Sequence, residues 1–347
     1  MSKKAKISLC IFFLGVLAAV GGFVAGRYVS DNKSPNFSKD YVLYVYPEMT
    51  AAEVLDSLDA GAGTLRPRSL ARCFRKLDAE NGMKPGRYVI GPSATSIYVA
   101  RMLVFGWQTP QALTLSGTIR SKGTLAKKIS LQMMADSASV AAALEDEAFL
   151  SGYGFTPDNV FAMILPDTYE MWWTASVEDI FDRFKKEYDA FWTQGRVAKA
   201  EKQGLSRLEV SVMASIVSGE TLKAAEYPVI AGVYLNRLRR GMKLQADPTV
   251  CYCHDYKLDR VLRKHLEIDS PYNTYKYAGL PPAPINVPPK ACVDAVLNPD
   301  EHGYIYFCAS PDFDGTHRFA VTYGEHCRNA REFQRELTAR RRAKGKK

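Results

Sequence analysis

The chain opens on an unbroken apolar run from Ile7 to Gly26, preceded by Lys3, Lys4 and Lys6 and followed by Arg27. An uncharged run of this length, roughly 20 residues, matches the hydrocarbon core of a bilayer. The flanking lysines predict a cytoplasmic N-terminus, with everything after Arg27 on the other side. A cleaved signal peptide is the competing reading. The run is longer than a usual signal core, however, and Val24-Ala25-Gly26 meets Arg27 instead of a small-residue cleavage site. A lipoprotein reading through Cys10 fits poorly, because most of the apolar run follows that residue.

Beyond a polar linker the pattern becomes that of a folded body. Tyr41 to Tyr46 alternates as a strand, and Thr50 with Glu53 forms a capping box at the start of a helix near Ala51. A second helix is expected over Ser69 to Leu77, a returning strand over Gly86 to Ile90, and another helix over Ser93 to Phe105. This predicts a small strand–helix–helix–strand module. A larger body follows, with a strand at Ala112 to Leu115 and helices at Thr124 to Met134 and Ser139 to Leu150. Leu165 to Tyr169 reads as a turn-rich link. Ser176 caps a helix whose Val177, Ile180, Phe181, Phe184, Tyr188 and Phe191 make one buried stripe. Near the end, Gly303 to Ala309 and His317 to Val321 read as paired strands, and Thr322 with Glu325 caps a final helix.

The stretch from Leu208 to Leu222 carries the chemistry. Leu208, Val212, Met213, Ile216 and Val217 form an apolar stripe, and Glu220 continues it four residues after Ile216 and three after Val217. A carboxyl group on an apolar face loses hydration and holds its proton to higher pH. A protonated carboxyl near neutrality is what a glycosidic oxygen needs in order to leave. The bland reading is a solvated glutamate at a frayed helix end beside Gly219, and periodicity alone leaves both open. A second helix runs from Pro228 to about Gly241. On it, Asn236 and Arg237 are placed either to reach a ligand or to tie the helix to the next loop. Glu226, between the helices, reads as a structural cap. Gln245 to Thr249 reads as a polar turn, with Asp247 before Pro248 a turn-former first and a second carboxylate second.

Charge and cysteines change this picture little. The net charge of +9 is concentrated at the ends, with Arg340, Arg341, Arg342, Lys344, Lys346 and Lys347 forming a solvated basic tail. No zinc-finger or RNA-binding signature accompanies it, which argues against nucleic acid as a partner. Disulfides are open to six of the seven cysteines, all but Cys10 in the apolar run. Cys251-Tyr-Cys253-His254 resembles a metal motif, but no second ligand pair at matching spacing follows, so no metal is expected. Cys308 reads as a buried free thiol, and His317 and His326 as structural histidines. No nucleophile elbow, phosphate loop or dinucleotide fingerprint appears.

Five strings then occur in order: Ala214-Ser-Ile-Val-Ser-Gly-Glu-Thr221, Tyr234-Leu-Asn-Arg-Leu238, Met242 to Val250, Ser270-Pro-Tyr-Asn-Thr-Tyr275 and Gly279-Leu-Pro-Pro282. With Leu165 to Tyr169 upstream and His317-Arg-Phe319 downstream, they closely resemble the YceG-like endolytic murein transglycosylases. The resemblance is strong from about Leu165 to Leu337 and weaker over Tyr41 to Phe105, which resembles that family's LysM-like module.

The resemblance implies an α+β chain with an N-terminal transmembrane helix, a small LysM-like αβ module and a mixed α/β catalytic domain. The expected division is a cytoplasmic tail at 1–6, a transmembrane helix at 7–26, a linker at 27–40, the module at 41–108, the catalytic domain at 109–338 and a basic tail at 339–347. It implies Glu220 as the catalytic acid, with Gln245, Asp247, Tyr272, Asn273, Thr274, Tyr275 and His317 lining the substrate cleft. Many relatives carry another acid two residues before the catalytic one, where this chain has Ser218.

The implied reaction cuts between N-acetylmuramic acid and N-acetylglucosamine, leaving a 1,6-anhydro end and using no cofactor. One carboxyl used twice suffices for it, whereas a hydrolase normally needs two. The implied setting is the inner membrane with a periplasmic catalytic domain, peptidoglycan glycan strands as substrate and membrane peptidoglycan synthases as co-workers. A muramidase-type hydrolase using Glu220 with Asp247, and an inactive wall-binding scaffold, are the alternatives.

Overall fold

The computed structural model describes residues 2–344. It is mixed α+β, with far more helix than strand, and it divides into two units. The first comprises Met1–Leu113 with Gln132–Met134 and Glu170–Ala175, and the second holds the remainder.

In the first unit, α1 (Lys3–Asn32) extends the apolar run at both ends, and its apolar residues are exposed. By length and composition it can cross a membrane. Its last turn is fixed to the unit by Asp31, which pairs with Arg72 and accepts from Ser69 Oγ at 2.6 Å. The strands β1 (Tyr41–Val45) and β2 (Gly86–Ile90) run antiparallel, Tyr41 opposite Ile90 and Val45 opposite Gly86. Alternation sends Leu43, Val45, Tyr88 and Ile90 into the core. The helices α2 (Ala51–Ala62) and α3 (Pro67–Lys76), a single turn α4 (Ala79–Gly82) and α5 (Ser96–Phe105) supply Val54, Leu58, Leu70, Phe74, Val99 and Leu103 to it. The capping box forms as expected, with Thr50 bonding Glu53 N and Glu53 returning to Thr50 N. The last helix starts at Ser96 because Thr95, not Ser93, accepts from the first turn.

The turn-rich link expected at Leu165 to Tyr169 becomes, in part, a strand. Here β3 (Gln111–Thr114) and β4 (Thr168–Met171) form a second two-stranded sheet.

The second unit begins with α6 (Lys122–Ser130), followed by two helices where one is expected: α7 (Ser137–Glu145) and α8 (Glu147–Ser151). Asp146 divides them. Its extended backbone ends the first, and its carboxylate caps Phe149 N of the second. The amphipathic α9 (Val177–Phe191) carries its capping box. Two further helices lack strong sequence signals, α10 (Gln194–Lys202) and α14 (Lys290–Leu297).

At the centre lies α11 (Arg207–Glu220), packed by α10, α12 (Tyr227–Arg239), α13 (Asp247–Cys253) and α14. Every residue from Val210 to Val217 is buried, so it is a core helix and not the one-sided amphipathic helix of the sequence reading. The hairpin β5 (Tyr306–Ala309) and β6 (His317–Ala320) pairs Tyr306 with Ala320 and Ala309 with His317. Cys308 in β5 is half-buried, more exposed than the buried thiol expected there. Among the described residues all seven cysteines are unpaired. Finally, α15 (Tyr323–Lys344) continues as helix into the expected basic tail, as far as the described residues reach, and Arg340 pairs with Glu336 one turn back at 2.9 Å. Lys346 and Lys347 lie outside the described residues.

Candidate active site

Glu220 is the last residue of α11, and the chain turns to extended backbone at Thr221. The buried turns before it aim its carboxyl among protein atoms, while the residue as a whole is half-buried. The crowding around the carboxyl sets its proton affinity. Burial pushes its pKa up to about 7. The nearby charge of Asp247 raises it further, and Arg237 and a hydrogen bond from Tyr234 oppose the rise. A carboxylate at a helix C-terminus also meets the negative end of the helix dipole, again favouring the neutral acid. Tyr234 Oη donates to Glu220 Oε1 at 2.5 Å. Among the described residues no donor occupies Oε2, so that oxygen is available to carry a proton toward a ligand.

Tyr234 belongs to α12 and is 1% exposed, its own pKa raised first by burial and then by Glu220. The sequence reading quotes it as the start of the Tyr234-Leu-Asn-Arg-Leu238 string and misses its role. The legible signal was a tyrosine among Ile, Val and Leu, since a buried phenol needs a partner. Its helix neighbours Asn236 and Arg237 tie the helix down. Asn236 Nδ2 donates to His302 O (2.8 Å) and Tyr304 O (3.0 Å), while Arg237 donates to Ile305 O (2.7 Å) and Leu244 O (2.5 Å).

The polar turn expected at Gln245 to Thr249 is instead the entry to α13. Gln245 is exposed and held at φ 49°, and Asp247 is the first helical residue. Tyr275 Oη donates to Asp247 Oδ1 at 2.6 Å, and burial, then this bond, raises the Tyr275 pKa. Thr274 fastens the two segments: its carbonyl accepts from Gln245 N (3.1 Å), and its hydroxyl bonds Ala246 N (3.0 Å) and Thr249 Oγ1 (2.9 Å). Gly219 permits the close approach of this entry to Glu220. A Cβ there would lie 2.6 Å from Pro248 Cβ.

The other residues named from sequence divide by position. Asn273 is 0% exposed; its amide donates to Leu266 O (2.9 Å) and Ile268 O (2.8 Å) and accepts from Tyr275 N (3.0 Å). It builds the loop and has no polar atom left for a ligand. Tyr272 packs on Tyr252, ring centroids 4.6 Å apart. His317 bonds Glu226 through both its backbone N (2.7 Å) and Nδ1 (2.9 Å). Glu226 also accepts from Thr221 Oγ1 (3.1 Å), so the hairpin reaches Glu220 through the residue after it, and again through Phe307, whose ring packs edge-on against Tyr234 with centroids 6.0 Å apart. Ser218 Oγ lies 2.9 Å from Ser215 O and 3.0 Å from Asn286 Oδ1, clipping the loop around Ile285 onto α11. Among the described residues no group of three or more His, Cys, Asp or Glu is arranged to hold a metal ion.

The arrangement is therefore one proton-holding carboxyl on a half-buried residue, one exposed carboxylate near enough to raise its proton affinity, and a tyrosine bonded to each. Comparison with known proteins adds three findings. Residues 43–332 match the model of the YceG-like family. A Bacillus subtilis protein named endolytic murein transglycosylase is 40% identical over 151 residues, 44% of this chain and 41% of its own length. One of the same name from Streptococcus pneumoniae is 24% identical over 363 aligned positions, 95% of this chain and 65% of its own. The matched stretch thus spans less than two thirds of either relative. In fold, the chain is similar to the crystal structure of a yceG-like protein from Listeria monocytogenes, with TM-score 0.56 and 24% identity, over 84% of this chain and 98% of that one.

Proposed function

Because the chain belongs to the YceG-like family, we propose that it is an endolytic lytic transglycosylase of peptidoglycan with Glu220 as its acid. The relatives named endolytic murein transglycosylase support this reading. The observation that carries it is the Glu220 carboxyl, kept protonated to about 7 by burial on a residue that is itself only half-buried.

In this mechanism Oε2–H protonates the glycosidic oxygen between N-acetylmuramic acid and N-acetylglucosamine. The resulting carboxylate, steadied by Tyr234, takes the proton of the muramic 6-hydroxyl as that oxygen attacks the anomeric carbon. A 1,6-anhydro end forms, no water is consumed, and neither metal nor organic cofactor is needed. Positive charge developing at the anomeric carbon is favoured by Asp247. Gln245 and Tyr275 flank the strand, Tyr272 contributes an aromatic face further along, and Asn273, Thr274 and His317 shape the site from behind.

The long apolar α1 supports a single-pass anchor in the inner membrane, lysines cytoplasmic and the catalytic body at 109–338 periplasmic. The small αβ unit at 41–108 serves as a LysM-like glycan-holding module. Nascent strands and the membrane synthases that make them are the expected substrate and co-workers, since both share that membrane face.

Digestion of purified glycan strands, followed by mass analysis of the ends, tests the reading. Ends one water lighter than hydrolytic ends are expected from the wild type and none from Glu220→Gln. The proximity of Asp247 to Glu220 favours one alternative, a two-carboxylate hydrolase, whose ends would carry that water. Strand binding without any cleavage by the wild type would instead indicate a wall-binding scaffold.

A further inference from the structure

A cavity of about 780 Å³ opens in the second unit beside the C-terminal end of α13, within the size range of small-ligand sites. Its wall includes Arg120, Asp158, Phe161, Tyr252, Tyr256 and Ser270. The Arg120 guanidinium lies 4.8 Å above the Tyr256 ring. That ring is fixed from behind, because its hydroxyl donates to Ile285 O and its backbone N to Cys251 O at 2.7 Å. Asp255 (φ 52°) and Tyr256 (φ 56°) are consecutive left-handed residues, a costly backbone for a bulky side chain and one that concentrates at functional sites.

The charges on this wall are unevenly matched. Lys122 pairs with Glu145 at 2.6 Å and Lys257 with Asp255 at 3.0 Å. Among the described residues no carboxylate ion-pairs with Arg120 and no cation with Asp158. The cavity thus offers one cation and one anion to an occupant of mixed charge, between tyrosine faces. It is also close to the acid. Asp247 starts α13 and Tyr252 comes five residues later, roughly 7–8 Å along the helix axis. Cys251, between them, sits in the fields of Asp247, Arg120 and Glu220.

We propose that this cavity is a subsite for the peptide stem of the glycan strand held at Glu220, with Arg120 taking a stem carboxylate and Asp158 a stem amine. The proposal rests on the glycan-cutting reading above. A glycan backbone offers hydroxyls and acetamido groups but few charges, whereas a stem peptide carries both signs. The subsite makes the enzyme prefer strands that still bear their peptides.

The experiment compares the full chain on stem-bearing strands and on the same strands stripped by an amidase. For Arg120→Ala, kcat/KM is expected to fall about three- to five-fold on stem-bearing strands, mostly through KM, and less than about two-fold on stripped ones, the effect of one partly solvated charge contact. Arg120→Glu should deepen the loss. Equal loss on both substrates, or no loss on either, overturns the subsite. A parallel binding titration in the Glu220→Gln background keeps the question separate from catalysis. Tighter binding of stem-bearing than stripped strands, abolished by adding Arg120→Ala, supports the subsite; indifference to the stem overturns it. Failure of the wild type to leave anhydro ends would instead count against the catalytic reading.

Discussion

Replacing Glu220 with Gln should make the protein inactive and, above neutral pH, more stable. The folded chain holds the Glu220 proton to about 7, against 4.5 for a solvated glutamate. Between those values the folded state keeps a proton that the unfolded chain has released, so stability falls as pH rises through the window. The favourable contribution is complete below 4.5 and lost above 7. At about 1.36 kcal/mol per pH unit the gap amounts to roughly 3 kcal/mol, an upper value because the residue is only half-buried. A glutamine cannot ionise, and its carbonyl oxygen still accepts from Tyr234. Calorimetric melting of the full chain in detergent, wild type against Glu220→Gln, reads the difference from pH 4 to 8. The two should melt together at pH 4 and diverge to roughly 6–12 °C in favour of the variant at pH 8. A gap that does not change with pH would refute the reasoning, because it would mean that Glu220 ionises alike in the folded and unfolded chain.

Other perturbations probe the supports of the acid. Tyr234→Phe removes the hydrogen bond that favours the carboxylate, so the alkaline limb of the pH–rate profile should move up by about one unit; an unmoved limb would show that the bond does not tune the acid. Gly219→Ala forces Pro248 and the start of α13 away from Glu220, and cleavage should drop at least about ten-fold with little change in melting temperature. Wild-type rates there would mean that the position of Asp247 is immaterial. Thr274→Val leaves Ala246 N without its buried partner, while Thr249 Oγ1 keeps its bond to Ala246 O, and should cost about 1–3 kcal/mol in urea unfolding; an unshifted midpoint would contradict the fastening role.

The sequence makes the membrane-length run, the capped helices and the β1–β2 and β5–β6 pairs legible because each has a local cause: an apolar stretch, a Thr–Glu box or strict alternation. The β4 strand and the helices α10, α13 and α14 were not legible, since tertiary packing outweighs their weak local signals. At Gln245 to Thr249 the polar composition suggests a turn, yet Pro248 suits a first helical turn and Asp247 stands at its positive end. Glu220 was visible as a carboxyl at the end of an apolar stripe, but α11 is buried all round, which periodicity on one face understates. The cleft string Tyr272 to Tyr275 hid a division of labour. Tyr275 reaches Asp247, whereas Asn273 and Thr274 spend their polar atoms within the fold. Amino-acid type cannot reveal which way alternate residues of a loop face.

The most direct test is the titration of that single carboxyl. Carbon-13 NMR of the full chain labelled at glutamate side-chain carboxyls, wild type against Glu220→Gln, assigns the resonance by its absence from the variant. The Glu220 signal should titrate with a midpoint near 7, well apart from the exposed glutamates. A midpoint at the ordinary glutamate value would leave no proton to give at neutral pH and would contradict the assignment of Glu220 as the acid.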